Sequence, residues 1–257
     1  NAHNMMAEEL HTYFDGRLAR AAARRVGRFL DRTVPRLADH AIVINEAAAP
    51  VLRGLGCREV SHVPPGVAPE DLPLTRPAAL PVGPWVMYAG NPDRYQDLDV
   101  LIDAMRLVPE ARLLVVSASP LDALAASGLP GLRCVVTSDF AEVRALMAAA
   151  DVAALPRAVC SGYPIKLLNY LGMGLPTVVA RGSARDLPGV VVVPNHDPQA
   201  MATALRALIR NPRHRRTLGD SARDHVLSAC TWEARALELE QVYARVLSRL
   251  DPARRYA

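Results

Sequence analysis

Short runs of apolar residues alternate with longer amphipathic stretches along most of this chain. Residues 41–45 (Ala-Ile-Val-Ile-Asn) form a run of strand length, and the pattern then predicts a helix over 46–55, ended by Gly56. A further short strand follows at 60–63. From residue 85 the alternation becomes regular. Strands are predicted at 85–89, 112–117, 133–137, 152–155, 177–180 and 190–193, with helices between them at 98–108, 121–126, 141–150 and 164–171. An amphipathic helix at 198–210 follows the last strand. These strands are apolar throughout rather than at every second position, so both of their faces should be buried. Buried strands separated by helices imply a parallel sheet covered on both sides. The fold class is therefore α/β, a doubly wound, Rossmann-like domain of about six strands over residues 85–228.

Two helices flank this core. An Arg- and Ala-rich helix is expected over 16–32, stopping before Pro35, with Leu18, Ala22, Val26 and Phe29 on one packed face. A terminal helix over 232–250 carries Leu237, Leu239, Val242, Tyr243 and Val246. Between 64 and 84 lie seven of the 21 prolines. That density should exclude regular structure and reads as an extended interdomain linker, placed at 67–84.

Composition narrows the partners. Half of the 257 residues are hydrophobic, yet no apolar run reaches the length of a membrane span. Net charge is +4 with an isoelectric point near 9.1, which suits phosphorylated ligands or an anionic membrane surface. Three Phe and no aromatic–basic interleaving argue against nucleic acid as a partner. Cys57, Cys134, Cys160 and Cys230 stand far apart, so free thiols in a reducing cytoplasm are expected. The seven histidines form no ligand pair, and no metal site is predicted. The first residues lack a secretory signal, and a start without Met reads as the continuation of a preceding segment.

One residue stands out against this background. Lys166 is the only lysine, against 29 arginines, and it lies in Ser161-Gly-Tyr-Pro-Ile-Lys-Leu-Leu-Asn169. An ammonium is a compact point charge, which a guanidinium does not replace at every site. Ser161 or Gly162 could cap the helix here, and Pro164 suits its first turn. Leu167, Leu168 and Leu171 would face the core, leaving Ile165 and Asn169 on another face. The backbone N–H groups of such a helix start form an anion site that Lys166 would strengthen. An exposed lysine on an ordinary capped helix fits the same spacing. Thr137-Ser138-Asp139 is open to two readings as well, a cleft-lining segment or the cap of the next helix. Arg181–Arg185 follows a strand and could line the cleft, although a solvated loop fits it better, and Arg213–Arg216 reads as a solvated face.

The segment Leu155-Pro-Arg…Ser161-Gly-Tyr-Pro-Ile-Lys-Leu-Leu-Asn-Tyr-Leu-Gly-Met-Gly174-Leu-Pro-Thr-Val-Val-Ala180 resembles the donor-site signature of family-4 (group 1) glycosyltransferases of the GT-B fold. Met87-Tyr-Ala-Gly90-Asn…Tyr95-Gln-Asp-Leu-Asp-Val-Leu-Ile102 is similar to the first strand, loop and helix of their donor domain. Ala38-Asp39…Val63-Pro-Pro-Gly66 resembles the end of their acceptor domain, and Asp151-Val, Asn195-His-Asp197 and Thr231-Trp…Val242-Tyr243 continue the match.

The resemblance implies a retaining hexosyltransferase that needs neither metal nor cofactor and uses a nucleotide-diphosphate sugar as donor. Its acceptor, a glycan, lipid or small molecule, is left open, as is peripheral association with the inner face of the membrane. It divides the chain into the end of an acceptor domain (1–66), the linker, a donor-binding domain (85–230) and a helix returning to the first domain (231–257). Gly90, Asn91, Arg94, Gln96, Ser138, Ser161, Gly162, Tyr163, Pro164, Ile165, Lys166 and Asn169 map onto donor-binding positions, and His3 onto a histidine that faces the donor sugar. Three departures from the pattern stand in the same segments. Ser161 and Asn169, eight positions apart, replace two acids, and Gln96-Asp97 replaces a Lys-Gly pair that helps hold the diphosphate. A degenerate, non-catalytic nucleotide-binding subunit is the alternative these departures favour.

Overall fold

The structure, a computed structural model, describes residues 6–73, 80–160 and 162–250. Two of the expected site residues, His3 and Ser161, lie outside that set. The chain divides into two compact units, one of residues 1–66, 161–163 and 232–257, the other of residues 67–160 and 164–231.

In the first unit, α1 (Met6–Glu9) runs into a 3-10 turn at Leu10–Tyr13, followed by α2 (Arg17–Leu37). The Asp31 carboxylate accepts from the Met6 and Ala7 N–H groups at 2.9 and 2.8 Å, satisfying donors that a helix start leaves unpaired. Gly27 of α2 sits against the Met6–Ala7 backbone, where a β-carbon would collide. Pro35 does not stop α2 as expected. It lies two residues from the helix end, so its missing N–H costs one backbone hydrogen bond and the final turn still closes at Leu37. Leu18, Val26 and Phe29 are exposed, and the buried residues of α2 are Ala23 and Gly27. The strand β1 (Ala41–Val43), α3 (Ala48–Gly54) and β2 (Val60–His62) complete a small parallel pair, with Ala41 opposite Val60. Its core is Val43, Ala49, Leu52, Cys57 and Val60.

The second unit begins in the proline-rich stretch, which is not wholly irregular. Val67 pairs in parallel with Thr231, Pro69–Asp71 makes one 3-10 turn, and Leu72 is buried. Pro69 fits there because the first position of a helical turn needs no N–H. The elements that follow are β3 (Trp85–Ala89), α4 (Leu98–Arg106), β4 (Arg112–Ser117), α5 (Asp122–Ala125), β5 (Leu132–Val136), α6 (Phe140–Ala149), β6 (Val152–Leu155), α7 (Ile165–Gly172), β7 (Thr177–Ala180) and β8 (Val190–Val193). Helices α8 (Pro198–Arg210) and α9 (Pro212–Ala229) close this unit, and α10 (Trp232–Leu250) returns to the first.

The six strands lie in the order β5-β4-β3-β6-β7-β8, all parallel. Every residue of β3, β6 and β7 is buried, as their unbroken apolar runs predict. The chain leaves β3 toward β4 on one side and returns to add β6 on the other. A crevice therefore opens at the carboxyl end of β3, the place where open α/β sheets bind ligands. Among the described residues no helix is long and apolar enough to cross a membrane.

Candidate functional site

Three loops leave the carboxyl edge of the sheet beside this crevice. Gly90 continues β3, Ser117 and Ala118 end β4, and Thr137–Ser138 follow β5. With Phe140, Val143 and Met147 of α6 and Lys166 and Asn169 of α7, they line a cleft of about 280 Å³. Of the expected donor-binding residues, the fold thus brings Gly90, Ser138, Lys166 and Asn169 to one cavity. Asp139 caps α6 by accepting from the Ala141 N–H at 2.8 Å, so the Thr137-Ser138-Asp139 segment serves both of its readings.

Lys166 is held from two sides. Its ammonium donates to the Tyr88 hydroxyl at 2.9 Å and to Gln96 Oε1 at 3.4 Å, and it lies 4.4 Å from the centre of the Tyr88 ring. Burial pushes its pKa down to about 8. The charge of Arg157 adds to that effect, and the smaller influences of Cys160 and Asp93 oppose it. Burial also raises the Tyr88 phenol, with Tyr170 and Tyr95 next in weight, so Tyr88 remains a neutral donor to the Asn91 carbonyl at 3.0 Å. Gly90 has φ 145°, and a β-carbon there would strike Lys166 Nζ, so only glycine leaves the ammonium its place.

Helix α7 begins one residue later than expected, with Pro164 at its N-cap and no side chain capping it. Pro164 rather than Gly162 holds the N-cap position, and the alternative cap, Ser161, lies outside the described residues. Leu167, Leu168 and Leu171 are fully buried as predicted. Tyr170 joins them, its hydroxyl accepting from the Ala89 N–H at 2.6 Å and fixing α7 to the end of β3. Neither Tyr88 nor Tyr170 was singled out by the sequence reading, although both lie inside the quoted motifs. A tyrosine flanked by core residues carries no periodic signal of a polar role.

Other expected residues stand elsewhere. Asn91 turns its amide to Asp93 at 2.6 Å, and Arg94 is exposed, its side chain hydrogen-bonding to none of the described residues. Ile165 is 52% exposed, Pro164 is buried, and Gly162 and Tyr163 group with the first unit. Gln96 is buried and contributes an acceptor to Lys166 rather than a positive charge of its own. Asp97, where the resembling pattern has glycine, adopts a left-handed conformation (φ 53°, ψ 39°). Asp is among the few non-glycine residues that tolerate it, and its carboxylate accepts from the Ala158 N–H at 2.7 Å.

Residues 83–211, just over half of the chain, match the family described as "Glycosyl transferases group 1". Over 117 residues the chain is 29% identical to the MMP alpha-(1->4)-mannosyltransferase of Mycolicibacterium hassiacum, a match that takes in 42% of this chain and 28% of that protein. The chain therefore spans less than a third of that relative. Among solved structures, sucrose-phosphate synthase from Thermosynechococcus elongatus superimposes with a TM-score of 0.78 at 22% identity, over 96% of this chain and 67% of that one. HepE of Anabaena, solved in complex with UDP and glucose, gives 0.74 at 14% identity, over 95% and 70%. At these identities the likeness speaks for the fold, the parallel-sheet α/β architecture of GT-B glycosyltransferases, as the resemblance implied. With that fold and a family match over half its length, the chain belongs to the group 1 glycosyltransferases.

Proposed function

We propose that this chain carries the donor-binding half of a retaining, metal-independent glycosyltransferase of family 4, which moves a hexose from a nucleoside-diphosphate sugar to an acceptor hydroxyl. The observation that carries this reading is Lys166, a lone lysine fixed by Tyr88 and Gln96 over Gly90 in the crevice at the end of β3. The base would lie in the apolar part of the cleft, near Phe140 and Val143, with Asn169 toward the ribose and the diphosphate at the start of α7. HepE, solved with UDP and glucose, makes UDP the first nucleotide to try.

In the transfer, the bond from the sugar's anomeric carbon to the diphosphate oxygen breaks as the acceptor oxygen bonds to that carbon. The acceptor's proton passes to the departing diphosphate. Charge grows on that leaving group, where the Lys166 ammonium and the uncapped N–H groups of α7 stabilise it without a metal. Residues 1–66 are read as the end of the acceptor domain, with His3 toward the donor sugar. Residues 85–230 are read as the donor domain. An interior with free cysteines fits a cytoplasmic protein.

Lys166→Ala is expected to weaken UDP binding about 10- to 100-fold and uridine binding little, since a charge-assisted contact to phosphate is worth roughly 1.5–3 kcal/mol. Calorimetric titration of the two ligands checks this, and equal losses would remove Lys166 from the phosphate. A second reading has its own observation. Among the described residues none that lines the cleft is acidic, and Asn169 offers the ribose an uncharged partner. A nucleotide-binding subunit without turnover would show UDP binding but neither hydrolysis nor transfer across a panel of nucleotide sugars.

A further inference from the structure

Two residues beyond the end of β6, Arg157 sits on a backbone fastened from three sides. The Ser183 hydroxyl donates to the Arg157 carbonyl at 2.8 Å. The Ala158 N–H donates to Asp97 at 2.7 Å, and the Asn195 amide donates to the Ala158 carbonyl at 3.3 Å. Gly182 packs so closely on Ala158 that any β-carbon would overlap its carbonyl oxygen. The left-handed backbone of Asp97 is sustained to make one of these contacts.

The side chain is oriented as firmly. Its guanidinium carbon lies 4.8 Å from the centre of the Tyr95 ring, and Nε donates to the Val159 carbonyl at 2.6 Å. Its two terminal amino groups make no hydrogen bond or ion pair among the described residues. Tyr95 adjoins Gln96, which holds Lys166, so the guanidinium and the ammonium flank one short loop. The Arg157 charge is thereby kept close enough to disfavour the ammonium, and the acid acting on Lys166, Asp93, has the smaller influence. Such a pair calls for an anion with more than one charged group.

We propose that Arg157 is a second diphosphate-binding residue, its planar fork taking one phosphoryl group while Lys166 takes the other. The inference rests on the donor-site reading above and extends it to a residue that the sequence reading passed over. It also answers the departure at Gln96: cationic contact absent from the loop after β3 is supplied from the loop after β6. A guanidinium stacked on an aromatic ring loses little freedom on binding phosphate, and it can donate two parallel hydrogen bonds.

The test is titration of the full chain with UDP, UMP and uridine, for the wild type, Arg157→Gln and Arg157→Lys. Arg157→Gln should weaken UDP about tenfold or more, UMP less, and uridine hardly at all, with Arg157→Lys between it and the wild type. Lys166 faces Tyr88, Gln96, Asp93, Cys160 and Arg157, so removing the guanidinium should also shift the alkaline fall in UDP affinity to higher pH. A purely structural Arg157 would cost uridine as much as UDP, which overturns the proposal. An Arg157→Gln protein that binds UDP like the wild type, while Lys166→Ala does not, overturns Arg157 alone. A wild type that binds neither UDP, GDP nor ADP overturns the donor-site reading along with it.

Discussion

At the scale of single residues, Lys166 combines a charge with a burial that opposes it. Its pKa of about 8 means that the ammonium is fully formed only below that pH. A bound diphosphate favours the charged form and draws the pKa back up, so above pH 8 binding must take up a proton. UDP affinity is therefore expected to be level below about pH 8 and to fall above it, by at most about tenfold per pH unit. Stability of the unliganded fold runs the other way. The unfolded chain keeps lysine protonated up to its ordinary pKa of 10.5, so between about 8 and 10.5 the unfolded state holds more protons, and stability gains with rising pH. Lys166→Met should flatten the first trend and remove this contribution from the second. Calorimetry and denaturant titrations across pH 7–10 check both signs. The lysine was legible in the sequence because it is alone among arginines and follows a proline in a recognisable segment. Arg157 was not, because one arginine among 29 carries no compositional signal and its mounting depends on Asp97, Ser183 and Asn195, brought together by three separate loops.

At the scale of elements, the sheet was the readable part. Strands β3, β4, β6 and β7 fall at the predicted positions because a strand buried on both faces leaves an unbroken apolar run, and the edge strand β8 does so through its four valines although Val192 is exposed. Helix α9 left no such trace. Its buried residues are Gly219, Ala222 and Val226, set among arginines and acids, so its packing depends on small size rather than hydrophobicity. Gly219 meets the Gly174 backbone at the end of α7, and a β-carbon there would overlap the Gly174 carbonyl. A backbone carbonyl cannot rotate aside as a side chain can, so Gly219→Ala should separate α9 from α7 and destabilise the fold by about 1–3 kcal/mol, despite alanine's better helix propensity. Gly54→Ala, at a helical position where a β-carbon meets nothing, provides the control and should be neutral or stabilising. Denaturant midpoints of the two variants decide it; similar values would mean that α9 packs with room to spare.

At the scale of the whole chain, the two units differ in how much core each possesses. The second contains a complete six-stranded sheet with helices on its faces and every residue lining the cleft. Among the described residues the first has a two-stranded parallel pair packed on Val43, Ala49, Leu52, Cys57 and Val60, and it leaves Leu18, Phe29, Leu37 and Leu247 largely exposed. Two parallel strands lack the partners that a parallel sheet ordinarily needs to be stable. Residues 67–231 expressed alone should therefore fold cooperatively, since a sheet of this size with buried strands is a sufficient core for about 165 residues. That fragment should bind UDP with the same dependence on Lys166 as the full chain. UDP at one hundred times its dissociation constant should stabilise it by about 2.7 kcal/mol, because the ligand binds the folded form alone. Thermal melts of the fragment with and without UDP, and with Lys166→Ala, make the test. A fragment that melts without cooperativity would show that the core of the second unit is not self-sufficient. One that folds but fails to bind UDP, where the full chain binds it, would mean that residues outside 67–231 take part in holding the nucleotide.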